Sequence, residues 1–187
     1  MRLLVISLSI ASAVLLSSCA TLSKEQCMVG DWQAIGYNDG VAGYSSDRLT
    51  SHAKACAKAS VAPDYQAWER GRQIGLKQYC TVDNAYNVGL RGNTLNNVCP
   101  VAIANTLRQR HQQGLEIYTL TKQLEESEKL LEKYQSEYDK LRNGEMLDFA
   151  TEKEARAYLL SLPLESQKIR HQMNTAERKL ALLETLD

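Results

Sequence analysis

Along the second half of the chain, Ile117, Leu120, Leu124, Ser127, Leu131, Tyr134, Tyr138 and Leu141 recur at alternating spacings of three and four, with Glu125, Glu126, Glu128, Lys129, Glu132 and Lys133 between them. That period is the seam of an amphipathic helix with coiled-coil character. Asn143-Gly144 supplies a C-cap, and Thr151 with Glu154 makes a capping box that starts a return helix. Its seam runs through Ala155, Leu159, Leu162, Ser166, Ile169, Met173, Ala176, Leu180 and Leu183, and Pro163 within it predicts a kink or a fresh helix start. At 1.5 Å per residue, Val101 to Arg142 spans about 63 Å and Thr151 to Leu186 about 54 Å. Comparable lengths joined by a short turn predict an antiparallel hairpin that pairs within the chain rather than with a second copy.

The first half has shorter apolar segments punctuated by glycine and by capping residues. Asp31 reads as the N-cap of a helix through Trp32, Ile35 and Tyr37 that ends near Gly43. Further helices are predicted over Asp47 to Lys58, from Asp64 after Pro63 through Trp68 to Cys80, and over Asn84 to Gly92. Pro100 suits the first turn of the long helix. The fold class is therefore all-α, a small helical region followed by a long helical hairpin.

Glycines recur at helical spacing as Gly36 and Gly40, then Gly71 and Gly75. Each costs about 1 kcal/mol in a helix interior relative to alanine, so their density needs a cause. Close helix packing is the plainer cause, and a glycine-floored ligand groove is the alternative. Asp31-Trp32-Gln33-Ala34 is echoed by Asp64-Tyr65-Gln66-Ala67, and Gly75-Leu76 with Tyr79 by Gly114-Leu115 with Tyr118, which suggests a duplicated helical unit.

At the amino terminus, Arg2 precedes an apolar run from Leu3 to Leu16. At about fourteen residues it is shorter than the roughly 20 needed to span a bilayer, and reads as a signal peptide. Leu16-Ser17-Ser18-Cys19 resembles the lipobox of bacterial lipoproteins. The resemblance implies cleavage before Cys19, acylation of that cysteine, and attachment to a membrane of the cell envelope. By similarity to enteric lipoproteins, Ala20 in place of an aspartate implies the outer membrane, facing the periplasm. The organisation expected is residues 1–18 as signal peptide, 19–26 as lipid-anchored linker, 27–100 as a glycine-rich helical region with two disulfides, and 101–187 as the hairpin.

Twenty-two basic side chains balance 22 acidic ones over 187 residues, and losing Arg2 with the signal leaves a formal charge of −1. No basic stripe is present, which argues against nucleic acid as a partner. Cys27, Cys56, Cys80 and Cys99 remain, an even count that an oxidising compartment pairs as disulfides. None of them is in the close pairwise spacing that builds a zinc site. If the first two helices fold back on each other, Cys27 lies near Cys56, and Cys80 then pairs with Cys99 between the third helix and the long one.

Gly30-Asp31-Trp32, Ile35-Gly36-Tyr37, Asp39-Gly40, Gly43, His52, Cys56, Asp64-Tyr65, Gly71, Gly75-Leu76, Tyr79-Cys80, Gly89, Gly92 and Cys99-Pro100 together resemble a proteobacterial lipoprotein family catalogued as domain of unknown function 2799. The resemblance runs from Cys27 to about Tyr118. It implies an envelope lipoprotein and transfers no catalytic residue.

For catalysis, His52, His111 and His171 are dispersed and form no recognised catalytic or metal motif. His52 with Asp39 or Asp31 could form an acid–base pair, although a surface or capping histidine is the plainer reading. Asp31, Asp39 and Asp64 read better as caps or turn formers. Neither metal nor cofactor is expected. The favoured function is a non-enzymatic structural or interaction module, anchored to a membrane by lipid and presenting its hairpin to an envelope protein. The alternative is a module binding glycan or peptidoglycan fragments through Trp32, Tyr37, Asp39, Trp68 and Tyr79.

Overall fold

The computed structural model describes residues 21–185. The segment read as a signal peptide lies outside the described residues, as does Cys19. Among those residues all regular structure is helical: α1 Lys24–Val29, α2 Trp32–Val41, α3 Asp47–Cys56 continued by a 3-10 turn at Ala57–Ala59, α4 Tyr65–Tyr79, α5 Val82–Leu90, α6 Val101–Arg142 and α7 Glu152–Glu184. No helix among them is long and apolar enough to cross a membrane.

Local side-chain chemistry sets the helix starts. Asp31 accepts a hydrogen bond from the Ala34 amide at 3.0 Å and Asp64 one from Ala67 at 3.0 Å, so both act as the predicted caps. α5, expected from Asn84, begins at Val82 because Thr81 accepts from the Asn84 amide at 3.2 Å. α1 was not expected. Its signal is Ser23 with Gln26, a capping box in which each side chain bonds the other's backbone amide. Leu22 before the cap packs in one cluster with Cys27, as a hydrophobic staple does.

Two helix pairs form the first half, α2 on α4 and α5 on the amino-terminal part of α6. Both are joined backbone to backbone through glycine. A Cβ at Gly36 would overlap the Trp68 carbonyl oxygen and one at Gly71 that of Gln33; Gly40 meets Arg72, and Gly75 meets Tyr37, in the same way. In the second pair Gly89 lies against the His111 carbonyl and Gly114 against that of Tyr86. Close packing is thus what the glycines provide.

The duplicated unit is a helix pair, recognisable residue by residue. Gly43, at φ 72°, lies on the Tyr79 ring, and Gly92, at φ 70°, on that of Tyr118. The helix ends match as well: the Tyr44 amide donates to the Asp39 carbonyl at 2.9 Å and the Asn93 amide to that of Val88 at 3.1 Å. The echo of Asp31 by Asp64 relates the two helices within one pair. That of Gly75-Leu76-Tyr79 by Gly114-Leu115-Tyr118 relates one pair to the other.

Cys27 is bonded to Cys56 and Cys80 to Cys99, the pairing expected. The route to the first differs from the expectation. α2 folds against α4 rather than α3, and Cys27 reaches Cys56 because α1 packs beside α3 and the 3-10 turn. Tyr79, Asn84 and Asn96 tie the two units together: the Asn96 amide donates to the Tyr79 hydroxyl at 2.9 Å and its side chain to the Gly43 carbonyl at 3.0 Å, while Asn84 donates to the Tyr79 carbonyl at 2.8 Å.

α6 and α7 form the antiparallel hairpin. Leu120, Leu141, Ala155, Leu162, Ile169 and Ala176 are buried and the other seam positions are partly covered. Gly144, at φ 90°, ends α6, and Thr151 and Glu154 cap α7 reciprocally. Of the two outcomes expected at Pro163, the fresh helix start does not occur, since α7 runs through it. The exposed ring costs one intrahelical hydrogen bond, while Leu162 and Ile169 on either side of it hold both halves of the helix against α6. The amino-terminal part of α6 also packs against α5, through Gly89 and Gly114.

At the closed end, Tyr158 donates to Glu137 at 2.7 Å and stacks at a tilt on Phe149. Burial, then the Glu137 hydrogen bond, pushes the Tyr158 phenol up to about 12 from 10.0.

Two expectations follow for this framework. Gly40→Ala should lower stability by about 2 kcal/mol or more, seen as a fall of about 4–8 °C in Tm by calorimetry, because rigid backbone rather than a mobile side chain must move. In folded chain Tyr158 keeps its proton above pH 10 where the unfolded chain has lost it, so its contribution is full below about pH 10 and falls as pH rises towards 12. Tyr158→Phe should therefore flatten that alkaline fall in urea-unfolding free energy.

Candidate functional site

The interior of the first helix pair holds a polar cluster that apolar packing does not require. Asp39 lies near the end of α2, where its side chain points inward rather than capping a turn. Its Oδ2 stands 2.7 Å from His52 Nε2 and accepts from Trp68 Nε1 at 2.8 Å. Arg48 Nε lies 3.5 Å from the other carboxylate oxygen, with its guanidinium 4.2 Å from the centre of the Tyr44 ring. His52 Nδ1 is 2.8 Å from the hydroxyl of Thr21, at the start of the described chain. α2, α3, α4 and the amino-terminal segment thus meet at one carboxylate.

The order of groups follows from their donors. Indole N–H can only donate, so Asp39 accepts from Trp68. With Asp39 as a carboxylate, His52 Nε2 carries the hydrogen it donates, and Nδ1 accepts from the Thr21 hydroxyl when the ring is neutral. Hydroxyl, imidazole and carboxylate in series are the parts of an acyl-transfer triad. Here the imidazole is 1% exposed and its carboxylate is shared with an indole. The arrangement holds Thr21 in place.

His52 is therefore a buried link rather than the surface or capping residue expected. Of its partners, Asp39 was legible in the sequence; Thr21 and Arg48 were not. Their signal was faint, because a threonine 31 positions before His52 carries no periodicity that ties the two together.

The residues considered for stacking a ligand are differently placed from an open platform. Trp32, Trp68, Tyr79 and Asp39 are buried. Tyr37 is half-buried, and its hydroxyl accepts from Gln78 at 2.8 Å. Arg72, also buried, forks onto Glu69 with two bonds of 2.8 Å and holds that carboxyl below the usual range. The four cysteines are consumed by disulfides, and among the described residues no group of three or more His, Cys, Asp or Glu side chains is placed to hold a metal ion.

The second helix pair acts as an internal control. Asp39 precedes Gly40 as Val88 precedes Gly89, and Trp68 stands four residues before Arg72 as Leu107 stands before His111. Val88 and Leu107 are both buried. The same scaffold closes with two aliphatic side chains where the first pair encloses a carboxylate and an indole, so the polar cluster answers a need particular to the first pair.

Residues 31–116 match DUF2799, a family described as protein of unknown function. No curated protein and no solved structure matches the chain. The DUF2799 segment opens on the Asp31 cap and closes just past Gly114, so it contains both glycine-joined pairs. Asp39, His52 and Trp68 lie inside it. Thr21 and the α6–α7 hairpin lie outside, which makes the Thr21–His52 contact a junction between the DUF2799 segment and the chain that precedes it.

Asp39→Ala should leave the His52 and Trp68 donors buried without an acceptor. At about 1–3 kcal/mol for each such group, equilibrium denaturation should show a loss of about 2 kcal/mol or more. Thr21→Val should cost the global transition far less and act locally, speeding amide exchange across residues 22–29; unchanged exchange there would remove the tether.

Proposed function

We propose that this chain is a lipid-anchored protein of the cell envelope, acylated on Cys19 after loss of residues 1–18, which presents its α6–α7 hairpin to another envelope protein and catalyses no reaction. The outer membrane, on its periplasmic side, is its proposed address. The reading is supported at the amino terminus by the Leu16-Ser17-Ser18-Cys19 pattern and by Ala20.

The observation that carries the interaction role is the hairpin itself. From Leu120 to Leu141 it extends about 30 Å past the last glycine contact, stabilised by its own seam. Such a projection adds nothing to the packing of the glycine-joined pairs, whereas it sets out two helical faces for a partner. Leu160 and Leu164, one turn apart on α7, are exposed there among charged residues, the mixture of apolar anchor and polar rim that protein interfaces use. The burial of Trp32, Trp68 and Tyr79 favours this reading over one in which those aromatics stack on a glycan.

Photo-crosslinking probes at Lys129 and Lys140, both exposed on α6, should give one dominant protein adduct in intact cells when read by mass spectrometry. Adducts confined to lipid or glycan, or none from either position, would overturn the adaptor role.

A further inference from the structure

The chain immediately after the proposed anchor is not a free linker. Thr21 is hydrogen-bonded to the buried His52, Leu22 is packed into the core beside Trp32 and Trp68, and Cys27 on α1 is bonded to Cys56. α1 is therefore fastened to the domain both before it, at Thr21 and Leu22, and within it, at Cys27. Yet the end of α1 turns two apolar side chains outward, Met28 at 67% and Val29 at 79% exposure. Residues 20–23, which could span at most about 14 Å of chain, and the six-residue helix, about 9 Å long, separate Cys19 from Val29.

We infer that α1 is a membrane-contact element, its Met28 and Val29 seated in the lipid interface beside the acylated Cys19, so that the domain meets the bilayer by one fixed face. The inference rests on the acylation in the proposed function and deepens it. The occupant is a lipid surface because acyl chains on Cys19 must lie in the bilayer, and the fastening of Thr21, Leu22 and Cys27 leaves α1 no freedom to swing away from it. The polar cluster acquires a purpose in this arrangement. The first helix pair, unlike the second, receives the segment that leads from the anchor, and Asp39 and His52 supply a directional grip that Val88 at the matching place does not.

The test uses the full-length acylated protein, purified from membranes and placed in phosphatidylethanolamine and phosphatidylglycerol vesicles with brominated acyl chains, which quench indole on contact. A V29W variant should lose roughly half of its added emission relative to vesicles without bromine. An M146W variant at the far end of the hairpin should lose none. Trp32 and Trp68 are enclosed, so the unsubstituted protein gives the background. The mass of the amino-terminal peptide is read on the same sample. Acylated protein with an unquenched V29W overturns the membrane-contact role alone. A peptide without acyl mass overturns the anchor and this inference with it.

Discussion

Direct contact between helix backbones is the constraint on which this molecule depends. Where Gly36, Gly40, Gly71 and Gly75 meet, no side chain intervenes between α2 and α4, and the same holds for Gly89 and Gly114 between α5 and α6. So close an approach fixes the relative rotation of two helices, because only the glycine stripe of each can face the other. It also explains how a region with few large apolar residues keeps a defined interior. Each pair is then closed at one end by a tyrosine lying under a left-handed glycine, Tyr79 beneath Gly43 and Tyr118 beneath Gly92.

Upon this shared frame the two pairs have diverged in what they enclose. Val88 and Leu107 make the second interior simply apolar, while Asp39 and Trp68 make the first an anchor point for His52 and, through it, Thr21. Buried polar groups are dear in free energy unless every donor finds an acceptor. The cluster meets the condition for its imidazole and indole, which share one carboxylate oxygen, while Arg48 Nε, 3.5 Å from the other oxygen, makes no hydrogen bond. Its directionality is what aliphatic packing lacks, and it fixes a particular segment in a particular place.

The parts of this fold most legible in sequence were those written in short-range periodicity. The hairpin seams, the Asp31 and Asp64 caps, the Thr151 box and the turn at Gly144 all rest on spacings of three or four residues, and each is found where those spacings put it. α1 was legible too, in Ser23 and Gln26, but its six residues carry too little apolar pattern to stand out. The helix partners were harder. Glycine spacing says that a backbone comes close without saying whose, and α2 was paired in anticipation with α3 rather than α4. The polar cluster was least legible, since Thr21, Asp39, His52 and Trp68 are brought together only by the packing of three helices. Pro163 is the opposite case, a strong local signal outweighed by the seam on both sides of it.

α6 belongs to both halves of the molecule at once. Its first turns are the second member of a glycine-joined pair and its later turns are one arm of the hairpin, with no break in the helix between them. A continuous helix of about 63 Å has no joint at which its two parts could turn independently. The direction in which the hairpin leaves the domain is therefore set by the Gly89–Gly114 contact, where backbone meets backbone.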